Sequence, residues 1–277
     1  MIIWIASYPK SGNTWLRSLI SSYYFSKDKF NLSDLKTIPN FSVNDFINDN
    51  LIIQNGVDVA KQWLNVQRWI NKNYKKTLFF KTHNACVALN NNLFTDSDNT
   101  AGCIYVVRDP RNIITSYKNF EKKTYEKILY HMKDKEAYLF SQKKGEYKSY
   151  EFIGSWADNY NSWFHNKLGV PICVIKYEDL VKDTLGELRK IIDFIANVQN
   201  IKNYSFNIEK AERAVVDASF ENLSKMEQDR GFSEARSNQK FFNMGERNNW
   251  QKLLPVSIKK NIEQCFYSEM KELNYLN

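Results

Sequence analysis

Ile2-Ile3-Trp4-Ile5-Ala6-Ser7-Tyr8-Pro9-Lys10-Ser11-Gly12-Asn13-Thr14-Trp15-Leu16-Arg17-Ser18-Leu19-Ile20 decides how the rest of the chain is read. Ile2 to Ala6 is a short apolar run, the pattern of a buried strand. Tyr8-Pro9-Lys10-Ser11-Gly12 interrupts it with turn-forming residues. Asn13-Thr14 can cap a helix, and Trp15, Leu16, Leu19 and Ile20 recur at helical spacing. The order is strand, tight loop, helix. The first turn of a helix presents unpaired backbone N–H groups and the positive end of its dipole, which suits an anion. Lys10 adds an ammonium, and Ser11 and Thr14 add hydroxyls. A phosphate is the expected occupant, and an ordinary strand–helix turn with a surface lysine is the plain alternative.

The rest of the chain repeats the pattern. Thr77–His83, Gly102–Arg108 and Pro171–Tyr177 are further continuous apolar runs that end in polar groups. Helices are expected over about Asn13–Phe25, Val57–Asn73, Pro110–Glu121, Tyr150–Lys167, Leu185–Val198, Glu209–Asp217 and Ser257–Leu273. Thr124–Tyr150 reads as an exposed helix plus a loop around Gly145, Asn90–Asn99 as a loop, and Ser233–Asn249 as irregular. Continuous strands alternating with helices imply a parallel sheet covered on both faces. The expected fold is α/β: one P-loop-like domain over residues 1–277, with a central parallel sheet of four to five strands and helices on both faces. Ligands of such sheets bind beyond the strand C-termini. Tyr8–Thr14, Lys81–His83, Arg108–Arg111 and Tyr177–Asp179 all fall there.

Composition narrows the partners. The net charge of +8 favours anionic ligands, but the charges are scattered and no nucleic-acid module shows its signature. Cys86, Cys103, Cys173 and Cys265 form no Cys-x-x-Cys pair, which argues against a metal knuckle. Asp109 and Asp179 are strand-end carboxylates open to a metal, with helix capping or salt bridging as the plainer role, and no metal is implied. No apolar stretch approaches the roughly 20 residues of a membrane span, and no leader pattern opens the chain. A cytoplasmic, non-membrane protein is the expectation.

A nucleoside-triphosphate loop places its lysine after the second glycine. Here Lys10 precedes Gly12. Tyr8-Pro9-Lys10-Ser11-Gly12-Asn13-Thr14-Trp15 instead closely resembles the 5′-phosphosulfate loop of sulfotransferases that use 3′-phosphoadenosine-5′-phosphosulfate (PAPS). Phe80-Lys81-Thr82-His83 resembles the family's Lys-Thr-His segment. Val107-Arg108-Asp109-Pro110-Arg111 through Ser116-Tyr117 is similar to its 3′-phosphate segment. Gly154-Ser155-Trp156 and Tyr177-Glu178-Asp179-Leu180 are further landmarks, and the likeness spans residues 2–250.

The resemblance implies a transferase moving SO₃ from PAPS to a hydroxyl, or an amine, of a small molecule or carbohydrate, and leaving adenosine 3′,5′-bisphosphate. It implies His83 as general base, with Lys10 and Lys81 on the reacting groups. Lys10, Ser11, Gly12, Asn13 and Thr14 would hold the 5′ end, and Arg108 and Ser116 the 3′-phosphate. Trp15 and Phe220 of Ser219-Phe220 would sandwich the adenine, with Tyr177 hydrogen-bonding it, and Gly245 would belong to the segment closing over the 3′-phosphate; either ring could equally be core. General chemistry supplies a reason for each role, while a strand-end histidine such as His83 can equally be structural. A cation at the departing bridging oxygen stabilises the transition state more than the ground state. A histidine, with a reference pKa near ~6.5, can accept the acceptor's proton.

One segment departs from the family. Phe-Arg-Lys-Gly-x-x-Gly-Asp-Trp becomes Phe242-Asn243-Met244-Gly245-Glu246-Arg247-Asn248-Asn249-Trp250, so the Arg-Lys pair is missing and Arg247 is the candidate replacement. A non-catalytic nucleotide-binding protein, favoured by that loss, and a kinase, disfavoured by the position of Lys10, are the alternatives.

Overall fold

The computed structural model describes residues 1–46, 53, 55–143, 146–235 and 240–276, and at 142, 143, 146–148 and 246 the backbone alone. Strand β1 (Ile2–Ser7) runs through the loop into α1 (Asn13–Phe25). Two 3₁₀ turns (Leu32–Thr37 and Val43–Asp45), α2 (Gly56–Ala60) and α3 (Trp63–Asn73) precede β2 (Leu78–Thr82). The hairpin of β3 (Ala88–Leu89) and β4 (Asn92–Leu93) leads to β5 (Thr100–Val107), α4 (Pro110–Glu121) and α5 (Tyr125–Lys133). A second hairpin, β6 (Tyr138–Lys143) and β7 (Glu146–Phe152), comes before α6 (Trp156–Phe164) and β8 (Ile172–Lys176). The remainder is helical: α7 (Tyr177–Lys182), α8 (Thr184–Val198), α9 (Ile208–Asp217), α10 (Phe220–Arg230), a 3₁₀ turn at Gly245–Arg247, α11 (Trp250–Leu253), α12 (Val256–Cys265) and α13 (Tyr267–Glu272).

The central sheet has four parallel strands in the order β2-β1-β5-β8. All six residues of β1 are buried because successive side chains enter opposite cores. Ile2, Trp4 and Ala6 pack with α3, α4, α6 and α12 through Val66, Ile113, Trp156 and Ile262. Ile3 and Ile5 pack on the other face with α1, α8 and α9 through Leu19, Ile191 and Ala211. Each fully buried isoleucine contributes about 1.5–3 kcal/mol of apolar transfer. This two-sided burial fixes the register, with Ala6 opposite Thr82 on one side and Tyr105 on the other. The ends of β1, β2 and β5 therefore open side by side. Among the described residues no helix is long and apolar enough to cross a membrane.

Several expectations are corrected. The helix expected over Val57–Asn73 is two, because the chain turns at Lys61-Gln62 to bury Trp63. Thr124–Tyr150 holds α5 and most of a hairpin rather than a helix and a loop; Tyr138 stacks across the strands on Tyr150, ring centroids 5.3 Å apart. Gly145 lies outside the described residues. The helix expected from Tyr150 begins only at Trp156, where Ser155 caps it by accepting from the Asp158 amide. The Asn90–Asn99 loop includes β4, and the helix over Ser257–Leu273 breaks at Phe266. Helices α7 and α10 follow polar stretches whose apolar periodicity is weak, and they were not expected.

Candidate active site

The loop after β1 owes its shape to two left-handed residues. Lys10 has φ 67° and Gly12 has φ 103°. A Cβ on Gly12 would lie 2.5 Å from the Tyr177 ring, so only glycine fits both the backbone and the neighbour. Gly12 also begins α1, which has no side-chain cap. The expected Asn13-Thr14 cap is therefore absent. The Asn13 amide instead donates back to the Ile5 carbonyl (3.0 Å) and the Ser7 hydroxyl (3.1 Å), bracing the loop on its own strand. The first amides of α1 have no intrahelical partner and no side-chain cap.

Ser11 Oγ is buried without a hydrogen-bond partner, and so is Arg108 Nε. Native structures rarely leave such groups unsatisfied, so both suit an incoming oxyanion. Arg108 follows β5; its guanidinium lies 4.0 Å from the centre of the Tyr177 ring and donates to the Lys10 carbonyl at 3.1 Å. Tyr177 in turn meets Trp15 edge-on at 5.5 Å. Gly12, Trp15, Arg108 and Tyr177 thus converge. The Lys10 ammonium lies over Phe120 (3.8 Å) and Phe241 (4.8 Å), on the α4 side of the loop.

Phe220, 44% exposed, packs against Gly245, where an added Cβ would come within 2.9 Å of its ring. Trp15 packs on the small core that holds Leu223, one turn into the helix Phe220 opens. Ser219 caps that helix by accepting from the Asn222 amide. Ser116 is half-buried on α4. Its neighbour Thr115 donates to Asn248 at 2.6 Å, and Asn248 donates to the Asn112 carbonyl at 2.9 Å, so the Gly245–Trp250 segment is stitched to α4. Arg247 donates to the carbonyls of Asn243 and Met244.

The end of β2 carries the other half of the site. His83 Nδ1 lies 2.7 Å from the Ser7 carbonyl. A carbonyl only accepts, so Nδ1 carries the proton and Nε2 presents its lone pair. Burial and the Lys81 ammonium lower the imidazole from 6.5 to about 4, opposed by Glu151 and the Ser7 contact. His83 is therefore neutral near pH 7. Lys81 donates to Asn40 Oδ1 at 3.0 Å and pairs with Glu151 at 3.5 Å, their side chains 13% and 8% exposed. Asn40 is brought there by backbone pairing of Pro39 and Phe41 with Lys81. Burial lowers the Lys81 ammonium from its ordinary range, against the pull of Glu151. Glu151 Oε1 also accepts the His83 amide at 2.6 Å. Burial alone would raise the Glu151 carboxyl, but Lys81 and His83 outweigh it and hold it low.

Glu151, Asn40, Arg17 and Glu234 are missing from the residues expected from sequence. Arg17 alone carried a local signal, a charge between Leu16 and Leu19 on an apolar helix. It is 3% exposed and donates to Ile38 O (3.1 Å), Leu35 O (3.2 Å) and Glu234 (2.6 Å). Arg111 proves structural: it grips Asp109 and Glu263 and donates to the Tyr275 carbonyl. Asp109 caps α4 through the Arg111 amide. Among the described residues no group of three His, Cys, Asp or Glu side chains could hold a metal ion.

Comparison with known proteins identifies the family. The model of the sulfotransferase domain family matches residues 2–274. An amine sulfotransferase from Oryctolagus cuniculus is 20% identical over 98% of this chain and 81% of its own length. A flavonol 3-sulfotransferase from Flaveria bidentis is 24% identical over 90% of this chain and 75% of its own. Among solved structures, a mouse sulfotransferase complexed with PAP superposes with TM-score 0.63 at 18% identity, covering 97% of this chain and 83% of that one. A retinol dehydratase solved with retinol and PAP gives TM-score 0.62 at 16% identity, covering 98% of this chain and 81% of that one. With a family match over nearly its whole length, this chain belongs to the sulfotransferase domain family.

Proposed function

We propose that the protein transfers a sulfuryl group from PAPS to a hydroxyl, or an amine, of a small-molecule or carbohydrate acceptor. The observation that carries this is the adjacency of two unlike seats. One is an anion loop with orphaned donors at Ser11 and Arg108. The other is a neutral imidazole whose Nδ1 is tied to Ser7, next to that loop on the neighbouring strand. PAPS supplies an activated S–O bond whose leaving group is the nucleotide's 5′-phosphate.

Gly12, Asn13, Thr14 and the α1 amides hold the 5′ end. Arg108 and Ser116 grip the 3′-phosphate, with Arg247 standing in for the absent Arg-Lys pair. Trp15, Tyr177, Phe220, Ser219 and Gly245 frame the adenine. His83 Nε2 takes the acceptor proton, and the Ser7 carbonyl steadies the imidazolium that results. Lys81, held between Asn40 and Glu151, faces the transferring group's oxygens. Lys10 moves off the Phe120 face to meet charge on the leaving oxygen. We take residues 1–277 as one domain, and place the protein in the cytoplasm, a location supported by relatives with names such as cytosolic sulfotransferase 5 of Arabidopsis thaliana.

The test is an acceptor screen with ³⁵S-labelled PAPS, alongside calorimetry with adenosine 3′,5′-bisphosphate. Label transferred by the wild type and lost in His83→Asn, with bisphosphate binding kept, is the expected result. Binding without transfer to any phenol, alcohol, amine or sugar would leave a nucleotide-binding protein instead.

A further inference from the structure

Glu234 lies in the chain between α10 and the Phe241-Phe242 pair, outside any helix or strand, yet its carboxylate reaches the donor loop. Oε2 accepts from the Thr14 hydroxyl at 3.1 Å, and Oε1 accepts from Arg17 at 2.6 Å. Thr14 is the second residue of α1, two positions beyond Gly12. The protein's own anion therefore stands at the head of the helix whose neighbouring donors, Ser11 Oγ and Arg108 Nε, are buried and unsatisfied. Lys81 and His83 also feel its charge. Arg17 is anchored independently by the Ile38 and Leu35 carbonyls, so it does not depend on Glu234 for its place. The Glu234 side chain is 35% exposed, so water screens part of its charge.

Given the donor-site reading above, on which this inference rests, we propose that Glu234 is a specificity-determining residue of the donor seat, setting by charge repulsion how tightly each 5′ group is held. The chemistry distinguishes the two nucleotides of the reaction. A terminal phosphate carries close to two charges on one phosphorus at neutral pH. A phosphosulfate spreads one charge on phosphorus and one on sulfur. A carboxylate at Thr14 opposes the spent bisphosphate more than the donor, and so favours product exchange. Like charges at this separation, partly screened, change affinity on the order of tenfold.

The experiment is calorimetry of wild type, Glu234→Gln and Glu234→Asp with two probes, adenosine 3′,5′-bisphosphate and adenosine 3′-monophosphate. Glutamine removes the charge, keeps one carbonyl oxygen to accept from Arg17, and turns the other oxygen into an NH2 that can donate to the Thr14 hydroxyl. Glu234→Gln should bind the bisphosphate about tenfold more tightly, with the monophosphate unchanged and Glu234→Asp close to wild type. Equal or weaker bisphosphate binding by Glu234→Gln, with the wild type binding normally, overturns the role of Glu234 and leaves the donor site standing. An equal gain for the monophosphate also overturns it, since the effect would not be at the 5′ seat. If folded wild type and both variants ignore the bisphosphate, the donor site itself is wrong and the inference falls with it.

Discussion

His83 offers the sharpest test of the site, because its environment predicts a measurable pH dependence of folding. The imidazole titrates near 6.5 when unfolded and about 4 when folded. Between those values the unfolded chain binds a proton that the folded chain does not. Stability therefore rises with pH across this window: it is fully present above 6.5 and is lost as pH falls through about 4. Integrating the gap gives a loss of about 2 kcal/mol between pH 7 and pH 5, and about 3 kcal/mol by pH 4, from this group alone. His83→Asn removes the titration, while its side-chain amide can still donate to the Ser7 carbonyl. Urea unfolding of both proteins at pH 7 and pH 5 gives four free energies. The wild-type advantage over the variant should shrink by about 2 kcal/mol on acidification, and other titrating groups cancel in the difference. A difference constant to within about 0.5 kcal/mol would mean that His83 titrates like a surface histidine, and the assignment of Nε2 as an acceptor at neutral pH would lose its basis.

Three further outcomes follow from the same geometry. Glu151→Ala strips the Lys81 ammonium and the His83 amide of a buried partner and should cost about 3–5 kcal/mol in urea unfolding, with Glu151→Gln clearly milder. Gly12→Ala forces a left-handed backbone on alanine and drives its Cβ against Tyr177. It should weaken binding of adenosine 3′,5′-bisphosphate by about tenfold or more, and calorimetry showing unchanged affinity would remove the loop from the donor site. Arg108→Lys gives up the planar fork and the stacking on Tyr177. Bisphosphate affinity should drop on the order of tenfold, while thermal melting moves by only a few degrees.

The sheet was legible because its strands are short, continuous and apolar, and each ends in chemistry-bearing residues. The loop was legible because its residue order is specific. What escaped was set by contacts distant in sequence. Glu151 meets Lys81 only because a hairpin folds back across the end of β2, and neither the hairpin nor the approach has a local signature. Glu234 reaches Thr14 across 220 residues. The capping role expected for Asn13 failed for a different reason: its side chain found partners in Ile5 and Ser7, on the strand across the loop. Arg111 lies three residues past Arg108 with no local sign of its role, and only the positions of Glu263 and Tyr275 reveal it as a brace. Side chains with one local role were readable; those satisfied by long-range partners were not.

On the proposed function, the pairing of charges explains how an anion seat and a general base with opposite needs can share one sheet edge. An anion seat must be electropositive, and a general base must not be crowded by cations, or its pKa falls too far for it to take a proton. The Lys81 ammonium close to His83 would impose that penalty. Glu151 lies within reach of both and opposes it, and the same carboxylate fixes the His83 backbone. On the β5 side no such balance is needed: Arg108 stacks on Tyr177 and keeps Nε without a partner beside the amides of α1. The boundary falls at β1, whose end supplies Ser7 to the base on one side and Gly12 to the anion loop on the other. A one-residue slip of β1 would turn its core residues to the opposite faces. It would also separate Ser7 from His83, so the packing that fixes the register also sets which nitrogen of His83 carries the proton.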